Sequence, residues 1–215
     1  MDRWVANWVE AHRTPWLNDL ARFLMRVGQG EAAPIVVVAA TLAVAVRWRQ
    51  WAWGAAVAIA AVGATVVSMV AKAVIGRPRP PLSLAMVVAP GSSMPSSVAV
   101  LCAAMGVAAV FGWERPTREG HRRAAIVMTG VVLLFSVAVV YLGAHWTTDV
   151  LVGWAVGIAV GAASIPLGRV TAAVLQGWLP GAFSWADRYA APSTDERPVD
   201  ADQPASDAVV DAQEA

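Results

Sequence analysis

The sequence predicts an all-α membrane protein, a polytopic helical bundle with about five transmembrane helices and an N-terminal amphipathic helix. Composition is the first indication: of 215 residues, 58% are hydrophobic and 14% are charged, and the mean hydropathy is +0.56. A soluble domain is closer to about half apolar and about a quarter charged. The second indication is a set of five apolar segments, at 32–46, 51–75, 98–113, 124–142 and 150–168.

The five segments differ in length, which matters because a bilayer core about 30 Å thick needs roughly 20 helical residues. The segment 32–46 is short, so it is expected to recruit flanking residues or to pack obliquely. The segment 51–75 is the longest. The last segment carries Gly153, Gly157 and Gly161, a ridge of small residues that allows close helix packing.

Four regions are predicted along the chain. Residues 1–30 form an amphipathic helix, because apolar residues recur there at helical spacing opposite polar ones. This helix lies in the headgroup layer or packs across the ends of the other helices. Residues 31–170 form the membrane domain, and 171–186 form a short amphipathic segment. Residues 187–215 form a disordered acidic tail, with eight acidic and two basic residues.

The basic residues that flank the apolar segments predict the orientation. Nine lie on the side of the tail and seven on the other side, where three are candidate site residues and four belong to the N-terminal helix. Because basic residues favour the cytoplasmic side, the tail is predicted to be cytoplasmic and the site to face outward from the cell membrane. The single cysteine excludes an internal disulfide. The rich use of Ala, Val and Arg is typical of a GC-rich bacterial genome, and no nucleic-acid partner is expected.

The stretch 141–149 holds the first candidate site residues. His145, one of three histidines, precedes the last apolar segment, and Asp149 follows four residues later. At the start of a helix this spacing places both side chains on one face, about 5–6 Å apart at Cβ. Asp149 would then accept a proton from one ring nitrogen and leave the other free as a nucleophile. The alternative is a His–Asp pair at the membrane interface whose two side chains only hydrogen-bond each other and have no catalytic role.

Two further stretches contain candidate anion ligands on the same side of the membrane. Lys72 ends the second segment, and Arg77 and Arg79 each precede a proline that stiffens the loop. These bases would clamp a phosphate or serve only as interface anchors. Ser96 and Ser97 open the third segment, where free N–H groups and hydroxyls bind oxyanions. A plain helix cap is the alternative there.

Together these stretches resemble the type 2 phosphatidic acid phosphatase family, whose fold is shared with vanadium-dependent haloperoxidases. The family pattern is a Lys with Arg-Pro seven residues on, then Pro-Ser-Gly-His, then Ser-Arg followed by His and Asp. Lys72 and Arg79 match the first part, and His145 and Asp149 match the last. The resemblance covers roughly residues 16–168.

The resemblance implies metal-independent hydrolysis of lipid phosphates or diphosphates, polyprenyl carriers included, at the outer membrane face and without a cofactor. His145 would attack phosphorus and form a phosphohistidine, and Asp149 would orient its ring. The expected phosphate ligands are Lys72, Arg79, the Ser96 hydroxyl and the backbone around Ser97, with Arg77 as a further candidate.

Two positions depart from the family pattern. Val98 stands where the family has the histidine that protonates the leaving group, and Val139 stands where it has a phosphate-binding arginine. General acid catalysis is worth about 10²–10⁴ in rate, and an arginine on a transferred phosphoryl group about 10³–10⁵. Activity is therefore expected to be reduced or lost.

Three hypotheses follow from these departures. The first is a slow or specialised lipid diphosphatase, because a leaving phosphate needs less protonation than a lipid alkoxide. In that case Arg77 would partly replace the missing guanidinium. The second is a catalytically inactive pseudo-phosphatase that binds a lipid phosphate or a protein partner. The third is a structural membrane subunit with no ligand.

Overall fold

The computed structural model describes residues 1–29, 32–114 and 117–179. All regular secondary structure in these residues is helical, which confirms the predicted all-α bundle. The helices are α1 (Asp2–Ala11), α2 (Pro15–Gln29), α3 (Ala32–Arg47), α4 (Trp51–Ile75), α5 (Ser97–Phe111), α6 (Arg118–Tyr141) and α7 (Thr147–Trp178).

Helices α4, α5 and α7 form the centre of the bundle, and glycines on α7 make their close packing possible. A Cβ on Gly157 would lie 2.5 Å from the Val100 carbonyl oxygen, and one on Gly161 would lie 2.5 Å from that of Ala104. Such distances are too short for any side chain, so the ridge of small residues brings α7 against the backbone of α5. This packing fixes the start of α5 beside the start of α7.

Each of the five predicted spans is a helix, but only three are long and apolar enough to cross a bilayer by themselves. These three are α4, α6 and α7, whereas the apolar part of α3 and all of α5 are shorter. Helix α5 is packed among its neighbours, and Ala99, Val100 and Ala104 are fully buried. A short helix in this position is surrounded mostly by protein.

The N-terminal region contains two helices, where the sequence predicts one. Pro15 begins α2 after a break at residues 12–14, because proline is suited to the first turn of a helix and not to its interior. Both helices expose large aromatic side chains: Trp4 is 69% exposed and Trp16 is 66% exposed. Helix α2 packs on α6, whereas α1 crosses the adjacent ends of α6 and α7.

Helix α7 continues without a break through residue 170, the predicted end of the membrane domain, as far as Trp178. It contains Pro166 in its interior. The remainder of the predicted amphipathic segment, 180–186, and the predicted acidic tail, 187–215, lie outside the described residues.

Candidate active site

Two loops meet at one end of the bundle, and they gather residues that are far apart in sequence. The loop 76–96 lies against the turn between α6 and α7. Gly143 permits this contact, because its φ is +68° and a Cβ there would lie 2.5 Å from the Leu84 carbonyl oxygen. The Ser96 N–H also donates to the backbone carbonyl oxygen of Asp149 at 3.1 Å, which joins the start of α5 to the start of α7.

His145 lies at the centre of this end of the bundle, and its side chain is 3% exposed. Its Nδ1 lies 2.8 Å from the carbonyl oxygen of Ser93. A carbonyl oxygen can only accept, so Nδ1 carries the proton and Nε2 has the free lone pair. Nε2 lies 3.3 Å from Arg79 Nη1. The ring nitrogen available as a nucleophile therefore faces a cation.

The protonation of His145 is set by its surroundings. Burial lowers the pKa of His145, and the positive charges of Arg79 and Lys72 lower it further. Asp149 acts in the opposite direction but does not outweigh them. The imidazole is therefore neutral at pH 7, which is the form that can attack phosphorus.

Asp149 is completely buried, and each carboxylate oxygen has its own partner. Oδ1 accepts a hydrogen bond from Arg77 Nη1 at 2.5 Å, and Oδ2 accepts one from the Trp146 N–H at 2.9 Å. The second bond belongs to the capping box that begins α7. Oδ2 also lies 3.7 Å from Nδ1 of His145, so Asp149 faces the ring behind the nucleophilic nitrogen.

The guanidinium of Arg77 points toward two carboxylates. Its Nη1 donates to Asp149 and, at 2.6 Å, to Thr148 Oγ1. Its Nη2 donates to Asp2 Oδ2 at 2.7 Å. In this arrangement Arg77 supports Asp149, whereas its place in the sequence suggested a phosphate ligand.

Asp2 is a site residue that sequence reasoning did not find. Its carboxylate accepts hydrogen bonds from Arg77, from the Thr148 hydroxyl at 2.6 Å and from the Thr148 N–H at 3.1 Å. Burial alone would raise the pKa of Asp2, but these hydrogen bonds lower it, so the carboxyl group is ionised at pH 7. Nothing local marks this residue, because its partners lie more than seventy positions away in the chain.

Arg79 supplies positive charge next to Nε2, and Lys72 adds positive charge that acts on the same ring. Lys72 Nζ donates to the Ser92 carbonyl oxygen at 2.7 Å. Arg79 donates to three backbone carbonyl oxygens, those of Gly91 (3.0 Å), Pro90 (3.0 Å) and Ala144 (2.7 Å). Across residues 1–29, 32–114 and 117–179, neither Lys72 nor Arg79 forms a salt bridge with a carboxylate. Their charges are therefore available to an anion.

The two predicted serines are adjacent in sequence and differ in environment. Ser96 is the N-cap of α5 and is completely buried, yet its Oγ has no hydrogen-bond partner among the described residues. Leaving a buried hydroxyl unpaired costs about 1–3 kcal/mol. Ser97 is exposed and is the first residue of α5. The start of α5 thus presents one unsatisfied hydroxyl and free N–H groups of its first turn.

The two departures from the family pattern lie together. Val98 is 6% exposed and Val139 is 1% exposed, and both belong to one apolar cluster. Its members next to the site include Leu142 and Ala144. The two valines therefore fill their positions with hydrocarbon.

A small cavity lies beside His145. It is bounded by α1, the loop 76–96 and the turn before α7, and it has a volume of about 10 Å³, which is enough for about one water molecule. Its lining includes Asp2, Arg13, His145 and Thr147.

Comparison with known proteins places this geometry in a family. The sequence profile of the PAP2 superfamily matches residues 51–173, which is more than half of the chain. The chain therefore belongs to the PAP2 superfamily. A comparison with curated protein sequences finds no match.

Two crystal structures share the fold. One is the first transmembrane PAP2-type phosphatidylglycerolphosphate phosphatase from Bacillus subtilis, with a TM-score of 0.70 at 22% identity, covering 78% of this chain and 84% of that one. The other is Aquifex aeolicus LpxE, with a TM-score of 0.63 at 18% identity, covering 77% of this chain and 94% of that one. The chain thus shares its fold with these two proteins over most of its length.

Proposed function

We propose that this protein hydrolyses a lipid diphosphate, with a polyprenyl diphosphate as the favoured substrate, through a phosphohistidine at His145. The arrangement of His145 carries this proposal. Its Nδ1 is held by a carbonyl oxygen, its unprotonated Nε2 faces Arg79, and Lys72 adds positive charge that acts on the ring. The site faces the outside of the cell membrane in this proposal, because the basic residues flanking the spans favour that orientation.

The reaction proceeds in two displacements. Nε2 of His145 attacks the terminal phosphorus, the bond from that phosphorus to the bridging oxygen breaks, and the lipid monophosphate leaves. Water then attacks the phosphohistidine, the P–N bond breaks, and inorganic phosphate and a proton are released while Nε2 regains its lone pair. Lys72 and Arg79 stabilise the charge on the transferred phosphoryl group. The unpaired Ser96 hydroxyl donates to one of its oxygens.

The preference for a diphosphate follows from the apolar cluster. Val98 and Val139 offer no proton to a leaving oxygen, and a lipid alkoxide leaves slowly without one. A leaving phosphate is a weak base whose last pKa is about 6, so it departs without protonation. The same site would therefore hydrolyse a lipid monophosphate much more slowly than a diphosphate.

A second candidate is a pseudo-phosphatase that binds a lipid phosphate without turnover. One observation favours it: Val98 and Val139 pack in hydrocarbon at the two positions that depart from the family pattern. Such a protein would keep the anion ligands, including Arg79, and would lose only the chemical step.

Phosphate release from a polyprenyl diphosphate by purified protein in lipid nanodiscs tests the proposal. Wild type is expected to release phosphate, and His145→Ala to fall by at least about 10³-fold, because it lacks the nucleophile. His121→Ala is the matched control, since His121 lies at the other end of α6, and it should retain full activity. Equal rates for wild type and His145→Ala would remove the catalytic proposal.

Binding distinguishes the two candidates when turnover is absent. A fluorescent polyprenyl diphosphate that binds wild type, binds weakly to Arg79→Ala and is not hydrolysed would establish the pseudo-phosphatase. Hydrolysis that depends on His145 would exclude it.

A further inference from the structure

A carboxylate carried by α1 contacts the back of the site. Asp2 Oδ2 accepts from Arg77 Nη2 at 2.7 Å and from Thr148 Oγ1 at 2.6 Å, and Oδ1 accepts from the Thr148 N–H at 3.1 Å. The Asp2 side chain is 16% exposed. Because the Thr148 N–H belongs to the first turn of α7, Asp2 also acts as a capping group for that helix.

Helix α1 is also held at its other end. Arg13, just after α1, donates from Nη2 to the carbonyl oxygens of Leu84 at 2.6 Å and Tyr141 at 3.1 Å. The Thr14 N–H donates to the Tyr141 hydroxyl at 3.1 Å. These contacts place α1 between the end of α6 and the start of α7, and His145 lies in the connection between those helices. The position of Asp2 at the site therefore depends on two separate sets of contacts, one at each end of α1.

The guanidinium of Arg77 is shared between two carboxylates. Its Nη1 donates to Asp149 Oδ1, and its Nη2 donates to Asp2 Oδ2. A guanidinium with a single carboxylate partner commonly binds both oxygens at once. Because Asp2 holds one arm, Asp149 Oδ2 remains with the Trp146 N–H and faces His145 Nδ1.

We propose that Asp2 is a positioning residue for the His145–Asp149 pair and that it acts by holding one arm of Arg77. Without the Asp2 charge, both arms of Arg77 close on Asp149 and draw Oδ2 away from the imidazole. His145 is then oriented less well, and the positive charge that develops on its ring during attack is less stabilised. Helix α1 is, by this argument, a component of the site and not only a membrane-surface helix.

The kinetic test compares two neutral isosteres on the same helix. Asp2→Asn is expected to lower kcat on farnesyl diphosphate by about tenfold with KM unchanged within about twofold, because orientation is lost and binding is not. Glu10→Gln, at an exposed position on α1, should leave both constants unchanged. In an Arg77→Lys background, residue 77 has no guanidinium to share between Asp149 and Asp2. There, Asp2→Asn should change kcat by less than about twofold. This readout rests on the proposed function.

A second readout does not need turnover. In protein carrying ¹⁵N-histidine, with His145→Gln used to identify the resonance, the His145 titration should move to lower pH in Asp2→Asn. It should stay in place in Glu10→Gln, and the Arg77→Lys background should abolish the shift. The groups that bear on this titration are Lys72 from α4, Arg79 from the loop, Asp149 from α7, Arg77 through Asp149, and Asp2 through Arg77.

The outcomes distinguish a failure of the proposed function from a failure of the positioning role of Asp2. If no protein releases phosphate, the proposed function fails, and the titration alone decides the role of Asp2. An unchanged titration with unchanged kcat would overturn the positioning role. A rise in kcat would instead make α1 an inhibitory lid, and an equal fall in the Arg77→Lys background would mean that Asp2 does not act through Arg77. If Asp2→Asn does not fold, Thr148→Val removes a partner of Asp2 and should give the same changes at smaller size.

Discussion

The polar side and the apolar side of the site contribute differently to the proposed reaction. On the polar side, Arg79 faces His145 Nε2, and Lys72 adds positive charge that acts on the same ring. On the apolar side, Val98 and Val139 pack into hydrocarbon beside the same end of the bundle. The polar side suffices to bind an anion and to present a nucleophile. The apolar side does not protonate a leaving group, so substrate choice should depend on how well the leaving group departs unaided.

The largest effect is expected from weakening the polar side. Arg79→Ala should lower kcat/KM on a polyprenyl diphosphate by about 10³-fold, because a guanidinium on a transferred phosphoryl group is typically worth that much. Arg22→Ala is the control, since Arg22 pairs with Asp19 on the exposed surface of α2. If Arg79→Ala lowered kcat/KM by less than about threefold, the polar side would not supply the charge that the proposed reaction requires.

A gain of function tests the apolar side. Val98→His should raise the hydrolysis of a lipid monophosphate by about 10²-fold, because it restores a general acid. Hydrolysis of a diphosphate should rise much less, since its leaving phosphate needs no acid. Val98→Ala, which only removes bulk, should give no gain. Equal gains on both substrates would contradict the proposed role of the apolar side.

Substitution of Ser96 tests whether the polar side is arranged to bind a ligand at a cost to the stability of the folded protein. Ser96→Ala should lower kcat/KM by about tenfold, while thermal unfolding should occur at the same or a higher temperature. The reason is that its buried hydroxyl has no partner among the described residues, so removing it relieves a cost of about 1–3 kcal/mol. A marked loss of stability would show that the hydroxyl has a structural partner.

The smallest effect is a shift in pH dependence. Attack requires neutral His145, so activity is lost as the pH falls through its pKa. Because burial and the nearby cations lower that pKa, the acid limb of log kcat/KM should lie below the ordinary range for histidine. The ionisation of the substrate, followed separately by ³¹P NMR, is the control. An acid limb at or above the ordinary histidine range would contradict this assignment.

The sequence predicted those parts of the molecule that depend on local pattern. Long apolar runs give the helices, and short motifs identify Lys72, Arg79, His145 and Asp149, which the structure brings to one end of the bundle. The direction of Arg77 was not predictable. It lies two residues before Arg79, and only the contacts of the folded loop turn it toward carboxylates.

Long-range contacts account for what the sequence could not show. Asp2 is an ordinary acidic residue in the first turn of an amphipathic helix, and its partner Thr148 lies 146 positions away. The protonated nitrogen of His145 depends on the Ser93 carbonyl oxygen, a backbone group that no side-chain pattern reveals. Such contacts arise from the way helices and loops pack.

Trapping of a covalent intermediate tests the central claim most directly. Protein is mixed with a polyprenyl diphosphate that carries ³²P in its terminal phosphate, quenched in base, and assayed for label. Wild type should carry label that is stable in base and released in acid, as a phosphohistidine is, and His145→Gln should carry none. Phosphate release without a labelled intermediate, or label that persists in His145→Gln, would contradict the claim.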